Sequence, residues 1–447
     1  RLPCSIHRRL AGSLALLSLV TLAAPTAAQQ DGGGTIGTGS TSGVAVDAEG
    51  VLQTTIVADP TGDLARQRIQ EALTRLDRNV ARTSPLRKVS LNRLERVLAK
   101  RLAAGQPIDD EIRHLAGITR LQYVFCYPET GDIVIAGPAE AWAEAPSGRV
   151  LGIDSGRPVL ELRDLIVALR AFPPYPYGKK TPLIYCSIDP TDEGLSRMHQ
   201  FLHEMGRQFS GPPQAGFEQF VVEQLRDKLG QQVITVGGVP ANTHFAQVMV
   251  EADYRMKLIG IGLENPGVRL KSYAARANPH QVARNALERW YFVPNYECVR
   301  VSEDSLAMEL VGEGVKLVGE AEVVSRGGQR QVAARGNPAS QAFVSAFTKA
   351  YPKLAERSPV FAQLRNCIDL AVAAAYIQDQ DYYDLAKWKP TVFNDESKYP
   401  VETLNTPKQV ASAVNSMWKG STLVTPIGGG VQMRPSEAIS PTNLLDD

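Results

Sequence analysis

Residues 182–190 read Pro-Leu-Ile-Tyr-Cys-Ser-Ile-Asp-Pro, and residues 232–238 read Gln-Val-Ile-Thr-Val-Gly-Gly. Each is a short run of apolar and β-branched residues that ends at a turn, which is typical of a buried strand. After the first run, Asp189 and Pro190 have the chemistry of a helix start, a capping carboxylate followed by proline at the first helical position. The sequence therefore predicts two strands, each followed directly by a helix.

Three segments with apolar residues at helical spacing accompany these strands, over residues 195–205, 217–229 and 245–256. Gly230 is expected to end the second helix, and Asn242 or Thr243 to cap the third. Residues 257–263 are predicted to return as a strand. Strand, helix and strand at this spacing indicate a parallel pair with a right-handed crossover.

The predicted fold class is therefore an α/β core, a mixed sheet with parallel strand–helix–strand units, over residues 151–330. Further strands, broken by Gly312 and Gly314, are predicted at 290–293, 299–301 and 306–318 and are expected to be antiparallel. Asn337-Pro338 and Ser358-Pro359 each announce a helix by a cap and a proline, which predicts a helical hairpin over residues 331–378. Residues 379–447 are polar and proline-containing and are predicted to be an irregular C-terminal tail.

An α+β region is predicted over residues 44–150. A hairpin around residues 47–50 is followed by two amphipathic helices near 65–80 and 91–102, the second capped by Ser90, which can pair as an antiparallel hairpin. Residues 121–127 and 132–136 are predicted to be strands joined by a turn.

Residues 1–28 have the pattern of a secretory signal peptide. Three arginines without an acid precede an apolar run over residues 10–24, and small residues then lead to Gln29. The run is shorter than the roughly 20 residues of a membrane span. We therefore expect export to the periplasm or the cell exterior, and no transmembrane segment in the mature chain. The Gly-, Thr- and Ser-rich residues 29–43 are predicted to be a flexible linker.

The charge balance excludes some partners. The chain holds 48 Lys+Arg and 47 Asp+Glu, a net charge of +1. Removal of residues 1–28 takes away three arginines and no acid, so the predicted mature chain has a net charge of −2. A nearly neutral chain gives no long-range field for nucleic acid or an anionic membrane, so neither is expected as a partner.

Five cysteines are too few for a fold built on disulfides. Cys126, Cys186 and Cys367 lie in apolar segments, where a small buried thiol is the usual interpretation. Whether any of these residues or Cys298 forms a disulfide is left open by the sequence.

Two spacings in the sequence resemble known catalytic motifs, but neither predicts an enzyme site. His199 and His203 have the i, i+4 spacing of metal ligands, but both fall at the polar edge of their predicted helix, and Arg207 stands where a zincin motif needs histidine. We interpret them as a surface pair and predict no metal site and no cofactor. Ser416 and Lys419 match a Ser-x-x-Lys spacing by chance, since the accompanying motifs of that enzyme class are absent from the sequence.

The strand-to-helix junctions are the best candidates for a ligand site. In open α/β sheets, ligands bind beyond the carboxyl ends of the strands, and free backbone amides at a helix start can hold an anion. The candidate ligand-binding residues at the two junctions are Ser187, Asp189, Gly237, Gly238, Asn242 and His244. No dinucleotide fingerprint is present, and Asp189 and Asn242 are also explained as helix caps.

Residues 244–257, His-Phe-Ala-Gln-Val-Met-Val-Glu-Ala-Asp-Tyr-Arg-Met-Lys, carry a family resemblance. They resemble a segment of secreted planctomycete proteins that contain a domain of unknown function. Residues 186–190, 290–296 and 359–375 are similar as well, so the resemblance covers most of residues 110–380. It implies export and a bacterial envelope setting, and it supplies no activity and no catalytic residues.

These observations favour an exported, soluble binding or scaffolding protein over an enzyme. Its expected partner is another envelope protein or a cell-surface component. The alternative is an envelope hydrolase or transferase that uses the junction residues, with Asp189 and His244 as its catalytic groups.

Overall fold

The computed structural model describes residues 39–174, 182–208, 216–278, 286–295, 299–324, 330–332, 337–415, 417–419, 422–424 and 431–433. The predicted signal peptide, residues 29–38 of the predicted linker, Cys298 and Ser416 lie outside these ranges.

Helices and strands alternate irregularly along the chain. The strands are β1 (Gly39–Val46), β2 (Val51–Asp59), β3 (Ser84–Ser90), β4 (Tyr123–Tyr127), β5 (Asp132–Ala139), β6 (Trp142–Glu144), β7 (Val150–Gly152), β8 (Ile184–Asp189), β9 (Gln231–Gly237), β10 (Ala286–Pro294), β11 (Val299–Val301), β12 (Ala307–Leu310), β13 (Val315–Val324), β14 (Arg330–Val332), β15 (Gln409–Ala411), β16 (Met417–Lys419), β17 (Thr422–Val424) and β18 (Val431–Met433). The helices are α1 (Asp63–Arg75), α2 (Arg78–Ala81), α3 (Leu91–Ala103), α4 (Asp110–Arg113), α5 (Leu162–Ala171), α6 (Asp192–Gln208), α7 (Phe217–Leu229), α8 (His244–Ile261), α9 (Tyr273–Arg276), α10 (Pro338–Arg357), α11 (Pro359–Asp379) and α12 (Tyr382–Leu385).

The predicted α/β class with a mixed sheet is confirmed. Within the described ranges, the largest sheet has the order β1-β2-β15-β9-β8-β18-β10-β13-β14. Its parallel pairs are β2 with β15 and β10 with β18, and its other pairs are antiparallel. A second sheet, β11-β12-β4-β5-β3, is antiparallel throughout. Both sheets combine distant parts of the chain, so the predicted boundaries at residues 150, 330 and 378 do not separate them.

Two predicted irregular segments contribute strands. Residues 39–43 of the predicted linker form the start of β1, which pairs with β2. The prediction of an irregular tail is wrong where β15 and β18 lie inside the large sheet. Strands of three residues carry too little alternation to be recognised in a sequence. The end of the tail, residues 434–447, lies outside the described ranges.

The predicted parallel pair of residues 232–236 with residues 257–263 is also wrong. β8 and β9 are antiparallel neighbours, and the α6–α7 helical hairpin joins them. Residues 257–261 continue helix α8 instead of forming a strand. The reason lies in Lys257, whose buried Nζ donates to the Ile188 carbonyl (3.0 Å) and to Gln232 Oε1 (2.8 Å), contacts that a helix packed on this sheet provides.

Helix caps follow the sequence at three helices, with two exceptions. Ser358 precedes α11 as expected, but its side chain makes no cap hydrogen bond. The Ser90 and Thr243 hydroxyls accept from the third amide of α3 and α8, and Asn337 caps α10, as predicted. Asp189 does not cap α6, because β8 extends through it and the Thr191 hydroxyl accepts from the Gly194 amide instead (3.0 Å).

The first two amphipathic helices do not form the predicted hairpin. Strand β3 intervenes between them in the chain, so that α1 packs on β6 and α3 packs on β5. The predicted β4–β5 strand pair is confirmed, and so is the helical hairpin of α10 and α11.

Helix α11 is the centre of the molecule and packs against α5, α8 and α10. Among the described helices it is the one long and apolar enough, by length and composition, to cross a membrane, and that apolar stretch is buried inside the fold. Cys126, Cys186 and Cys367 are buried, as the sequence predicted. Cys126 and Cys367 are free thiols.

Asp369 of α11 should make stability depend on pH. Burial raises the pKa of its carboxyl to about 6 from 3.8, against the opposing charges of Arg120 and Arg365 and with a smaller contribution from Glu313. Because the folded state keeps this proton where the unfolded state has lost it, stability is lost as pH rises from about 4 to 6. The loss is about 3 kcal/mol, at about 1.4 kcal/mol per pH unit.

Urea unfolding of the wild type and Asp369→Asn at pH 4 and pH 7 measures this effect. The stability difference between the two chains should change by about 3 kcal/mol in favour of the variant at pH 7. A difference that stays constant with pH contradicts the prediction.

Candidate functional site

The two predicted junctions lie at opposite ends of the β8–β9 pair. Asp189, at the end of β8, is opposite Val233, whereas Gly237, at the end of β9, is opposite Tyr185. Four residues of strand separate these positions, a distance of about 13 Å. Ser187 and Asp189 therefore do not share a site with Gly237, Gly238, Asn242 and His244, and the structure does not bring Asp189 and His244 together.

Five of the six predicted ligand-binding residues have structural explanations. A Cβ on Gly237 would lie 2.4 Å from the Tyr185 ring, and Gly238 has a φ of +80° and backs onto the Leu183 carbonyl, so β8 itself occupies the space that these glycines leave. Ser187 is buried within β8. The other two residues have partners within the fold. The Asn242 carbonyl accepts from the Leu404 amide (2.7 Å), and Asp189 forms an ion pair with Arg289 (3.8 Å).

His244, the sixth, lies in a buried polar cluster. It occupies the first position of α8, where it meets the first turn of α5. Asp164 places its two carboxylate oxygens 2.9 and 3.1 Å from His244 Nδ1. On the other side of the ring, Glu161 Oε1 lies 3.8 Å from Nε2. The imidazole therefore stands between two carboxylates, hydrogen-bonded to one and separated from the other by a gap.

The charges around His244 favour the protonated form of its imidazole. Burial lowers the pKa of His244, but the charges of Asp164 and Glu161 outweigh burial, so the net shift is upward. Arg163 Nε lies 2.8 Å from Glu161 Oε2 and its Nη1 lies 2.7 Å from Glu402. The two carboxylates are also close to the N-terminus of α5, whose backbone amides stabilise negative charge.

A small cavity of about 10 Å³ lies beside this cluster. Glu161, Asp164 and His244 line it together with Gln363 and Asn366 of α11. Asn366 is 5 % exposed, and its Nδ2 donates to the carbonyls of Thr119 and Pro158. Its Oδ1 is buried and has no hydrogen-bond partner among the residues that the structure describes. Such an orphaned oxygen is uncommon and calls for a ligand or a water.

A larger open cavity of about 820 Å³ lies on the other side of Glu161. This volume falls in the range of about 300–1,000 Å³ that small-molecule sites occupy. Its lining combines charged and apolar side chains from α1, the end of α3, α4, the β6–β7 hairpin, α5 and the segment after α12: Arg75, Leu76, Leu102, Ile108, Asp110, Arg113, His114, Trp142, Glu144, Glu161, Arg163, Tyr399 and Glu402. Glu161 lines both cavities.

Two arginines of the large cavity have no acidic partner. Within the described residues, neither Arg75 nor Arg113 lies in ion-pair contact with a carboxylate, and both are exposed. His114 packs edge-on against Trp142, and its Nδ1 is buried without a hydrogen-bond partner. Burial lowers the pKa of His114, so its ring is neutral near pH 7. The cavity thus offers two free guanidinium groups, an aromatic wall and a neutral imidazole.

His199 and His203 lie on α6, outside the one close group of His, Cys, Asp and Glu ligand atoms found among the described residues. His203 is exposed on α6, as predicted for a surface pair, and His199 is half-buried. In the residues that the structure describes, one group of at least three His, Cys, Asp or Glu side chains brings its ligand atoms within 4.8 Å of one another: Glu161, Asp164 and His244.

Comparison with known proteins finds a family that matches part of the chain. Residues 186–273 match a family described as a protein of unknown function (DUF1598). The match contains residues 186–190 and 244–257, two of the stretches on which the resemblance rested, while 290–296 and 359–375 lie outside it. No curated protein and no solved structure matches the chain.

The matched region contains His244 but neither of the acids around it. Sequence reasoning missed Glu161 and Asp164, which lie about 80 residues away in the chain. Their only signal is an acid pair spaced i, i+3 at the start of an apolar run, which is the ordinary pattern of a helix N-terminus.

Proposed function

We propose that the protein is an exported binding protein whose ligand occupies the large cavity. The observation that supports this proposal is a cavity of about 820 Å³ whose wall carries two arginines without acidic partners. Guanidinium groups bind carboxylates and phosphates through paired hydrogen bonds. Trp142 and the apolar residues Leu76, Leu102 and Ile108 suit an uncharged body on the same ligand. A small organic anion, such as an anionic group of a cell-surface component, fits this lining.

Phenyl phosphate is a suitable probe, with benzyl alcohol as its neutral counterpart. Isothermal titration calorimetry of the full chain should show saturable binding of phenyl phosphate and none of benzyl alcohol. The double variant Arg75→Ala, Arg113→Ala should weaken that binding at least tenfold, because a charge-assisted hydrogen bond contributes about 1.5–3 kcal/mol.

Both arginines are exposed, so their removal should leave the melting temperature unchanged. Arg78→Ala on the neighbouring helix α2 removes an exposed arginine that does not line the cavity, and it should bind phenyl phosphate like the wild type. Equal affinity in the double variant and the wild type would place the ligand elsewhere.

Export is the second part of this proposal. Residues 1–28 support it through their basic start, apolar run and small-residue exit. N-terminal sequencing of the protein recovered from fractionated bacterial cells tests it, with a mature chain that begins near Gln29 in the envelope or the medium as the expected result. A protein that stays in the cytosol with residues 1–28 intact would contradict export.

A hydrolase or transferase is a second candidate, and the contacts of His244 favour it. His244 comes from the predicted β9–α8 junction, Asp164 fixes its ring, and its Nε2 faces Glu161 in the wall of the large cavity. An ordered carboxylate–imidazole–carboxylate series can hold a proton for general acid–base catalysis. Hydrolysis of p-nitrophenyl acetate or p-nitrophenyl phosphate by the wild type tests this function. Loss of that hydrolysis in Glu161→Gln would support catalysis over simple binding. The same rate in the wild type and the variant would exclude a catalytic role for Glu161.

A further inference from the structure

The small cavity beside His244 is too small for an organic ligand. At about 10 Å³ it holds roughly one water-sized sphere. Its lining is nonetheless polar on three sides, with the carboxylate of Glu161, the imidazole of His244 and the amide of Asn366. A single atom with several polar neighbours is what such a space accommodates.

The orientation of His244 leaves one ring nitrogen for that atom. When Nδ1–H donates to Asp164, the neutral imidazole carries its lone pair on Nε2, which faces Glu161 Oε1 at 3.8 Å. This separation is too long for a hydrogen bond. It is suited to two ligands of one ion, since bonds of about 2.0–2.2 Å from each side span up to about 4 Å.

Asn366 supplies an independent observation. Its Oδ1 has no hydrogen-bond partner within the described ranges, the residue is only 5 % exposed, and Asn366 lines the same cavity. The two bonds of Nδ2 to Thr119 and Pro158 fix the amide plane, so Oδ1 cannot turn to another partner. A buried oxygen in this position is stabilised by a cation or by a donor, and the described part of the chain provides neither.

We infer that this cavity is a divalent metal site, with His244 Nε2, Glu161 Oε1 and Asn366 Oδ1 as ligands and Asp164 as the group that orients His244. Nitrogen and oxygen ligands in this ratio suit Zn²⁺ or a neighbouring transition-metal ion. The carboxylate on Nδ1 is the usual outer partner of a metal-binding histidine. When His244 is neutral, as it must be to bind a metal ion, Glu161 and Asp164 carry two negative charges against the one guanidinium of Arg163.

Zn²⁺ binding by the full chain tests this inference. The protein is purified without an affinity tag, treated with EDTA, incubated with ZnCl₂ and separated from free ion, and its metal content is measured by mass spectrometry. We expect one Zn²⁺ per chain and a higher melting temperature in its presence. Co²⁺ in place of Zn²⁺ should give visible absorption bands from the bound ion.

Variants of the ligands separate this site from any other. Glu161→Gln and His244→Gln should each lower the Zn²⁺ affinity more than tenfold, and Asp164→Asn should lower it about 10- to 100-fold. Asn366→Leu keeps the buried volume and removes the oxygen, so it should also weaken Zn²⁺ binding. It tests the site even where the other variants fold poorly. His114→Gln is the matched control, since His114 is a half-buried histidine of the neighbouring cavity, and it should bind Zn²⁺ like the wild type.

Two results would overturn the inference. One is a wild-type chain that retains no stoichiometric Zn²⁺, which would leave a water as the occupant of the cavity. The other is unchanged Zn²⁺ binding in His244→Gln or Asn366→Leu. The variant Arg75→Ala, Arg113→Ala should bind Zn²⁺ normally, so this inference and the proposed anion site fail independently.

Discussion

A chain that ends at Thr406 should fail to fold. It lacks β15, which lies between β2 and β9, and β18, which lies between β8 and β10. Val410 and Met433, 2 % and 0 % exposed, leave the core with them. Two gaps inside the large sheet leave four strand edges unpaired. We therefore expect the free energy of unfolding to fall by more than about 5 kcal/mol, which is the entire stability of many domains.

A chain that ends at Met433 is the control, because it keeps both strands and loses only residues 434–447. Soluble yield, circular dichroism and thermal melting of the two truncated chains compare them directly. The expected result is a cooperative transition for the longer chain and aggregation or no transition for the shorter one. Identical melting curves would mean that the C-terminal strands are dispensable, as an irregular tail would be.

Glu95→Ala should lower the free energy of unfolding by about 3–6 kcal/mol. The buried carboxylate of Glu95 accepts from Trp388 Nε1 (2.6 Å) and from the backbone amides of Val392 and Phe393 (2.7 and 3.0 Å). Its removal leaves three buried donors without an acceptor, and each costs about 1–3 kcal/mol. The side chain also fixes the segment that continues to Tyr399 and Glu402, which line the large cavity.

Chemical denaturation of the variant measures this effect, and two further variants interpret it. Glu95→Gln keeps the volume and one carbonyl oxygen, so its loss should be intermediate. Glu71→Ala removes an exposed acid of α1 and should change stability by less than about 0.5 kcal/mol. If Glu95→Ala were as stable as Glu71→Ala, the segment after α12 would be held by other contacts.

Local features of this fold could be predicted from the sequence. Ser90, Thr243 and Asn337 cap their helices as expected, because a cap depends on a side chain and an amide two or three residues away. The strands 184–189 and 231–237 were predicted within a residue or two, because alternation and turn residues mark both of them.

The direction in which those strands pair was not predictable from the same residues. A strand followed by a helix is compatible with a parallel neighbour, and only the α6–α7 hairpin, which returns the chain to the start of β9, makes the pair antiparallel. Residues 257–261 read as a strand because Leu258, Ile259 and Ile261 are apolar, but the tertiary contacts of Lys257 hold them in a helix. Tertiary contacts override local preference in both cases.

The candidate site was half predictable. His244 was identified from its junction, but the prediction paired it with Asp189, which the antiparallel strands place at the other end of the sheet. Its actual neighbours, Glu161 and Asp164, come from a helix about 80 residues earlier, and Asn366 from one about 120 residues later. Contacts at such separations leave no trace in the local pattern of a single sequence.

Glu161 belongs to the walls of two compartments at once. One carboxylate therefore contributes to the potential in both, and whatever neutralises it on one side weakens its attraction for positive charge on the other. With the anion and the metal ion that we propose as occupants, the two sites would be linked, and the factor by which one occupant changes the affinity for the other would equal the reverse factor.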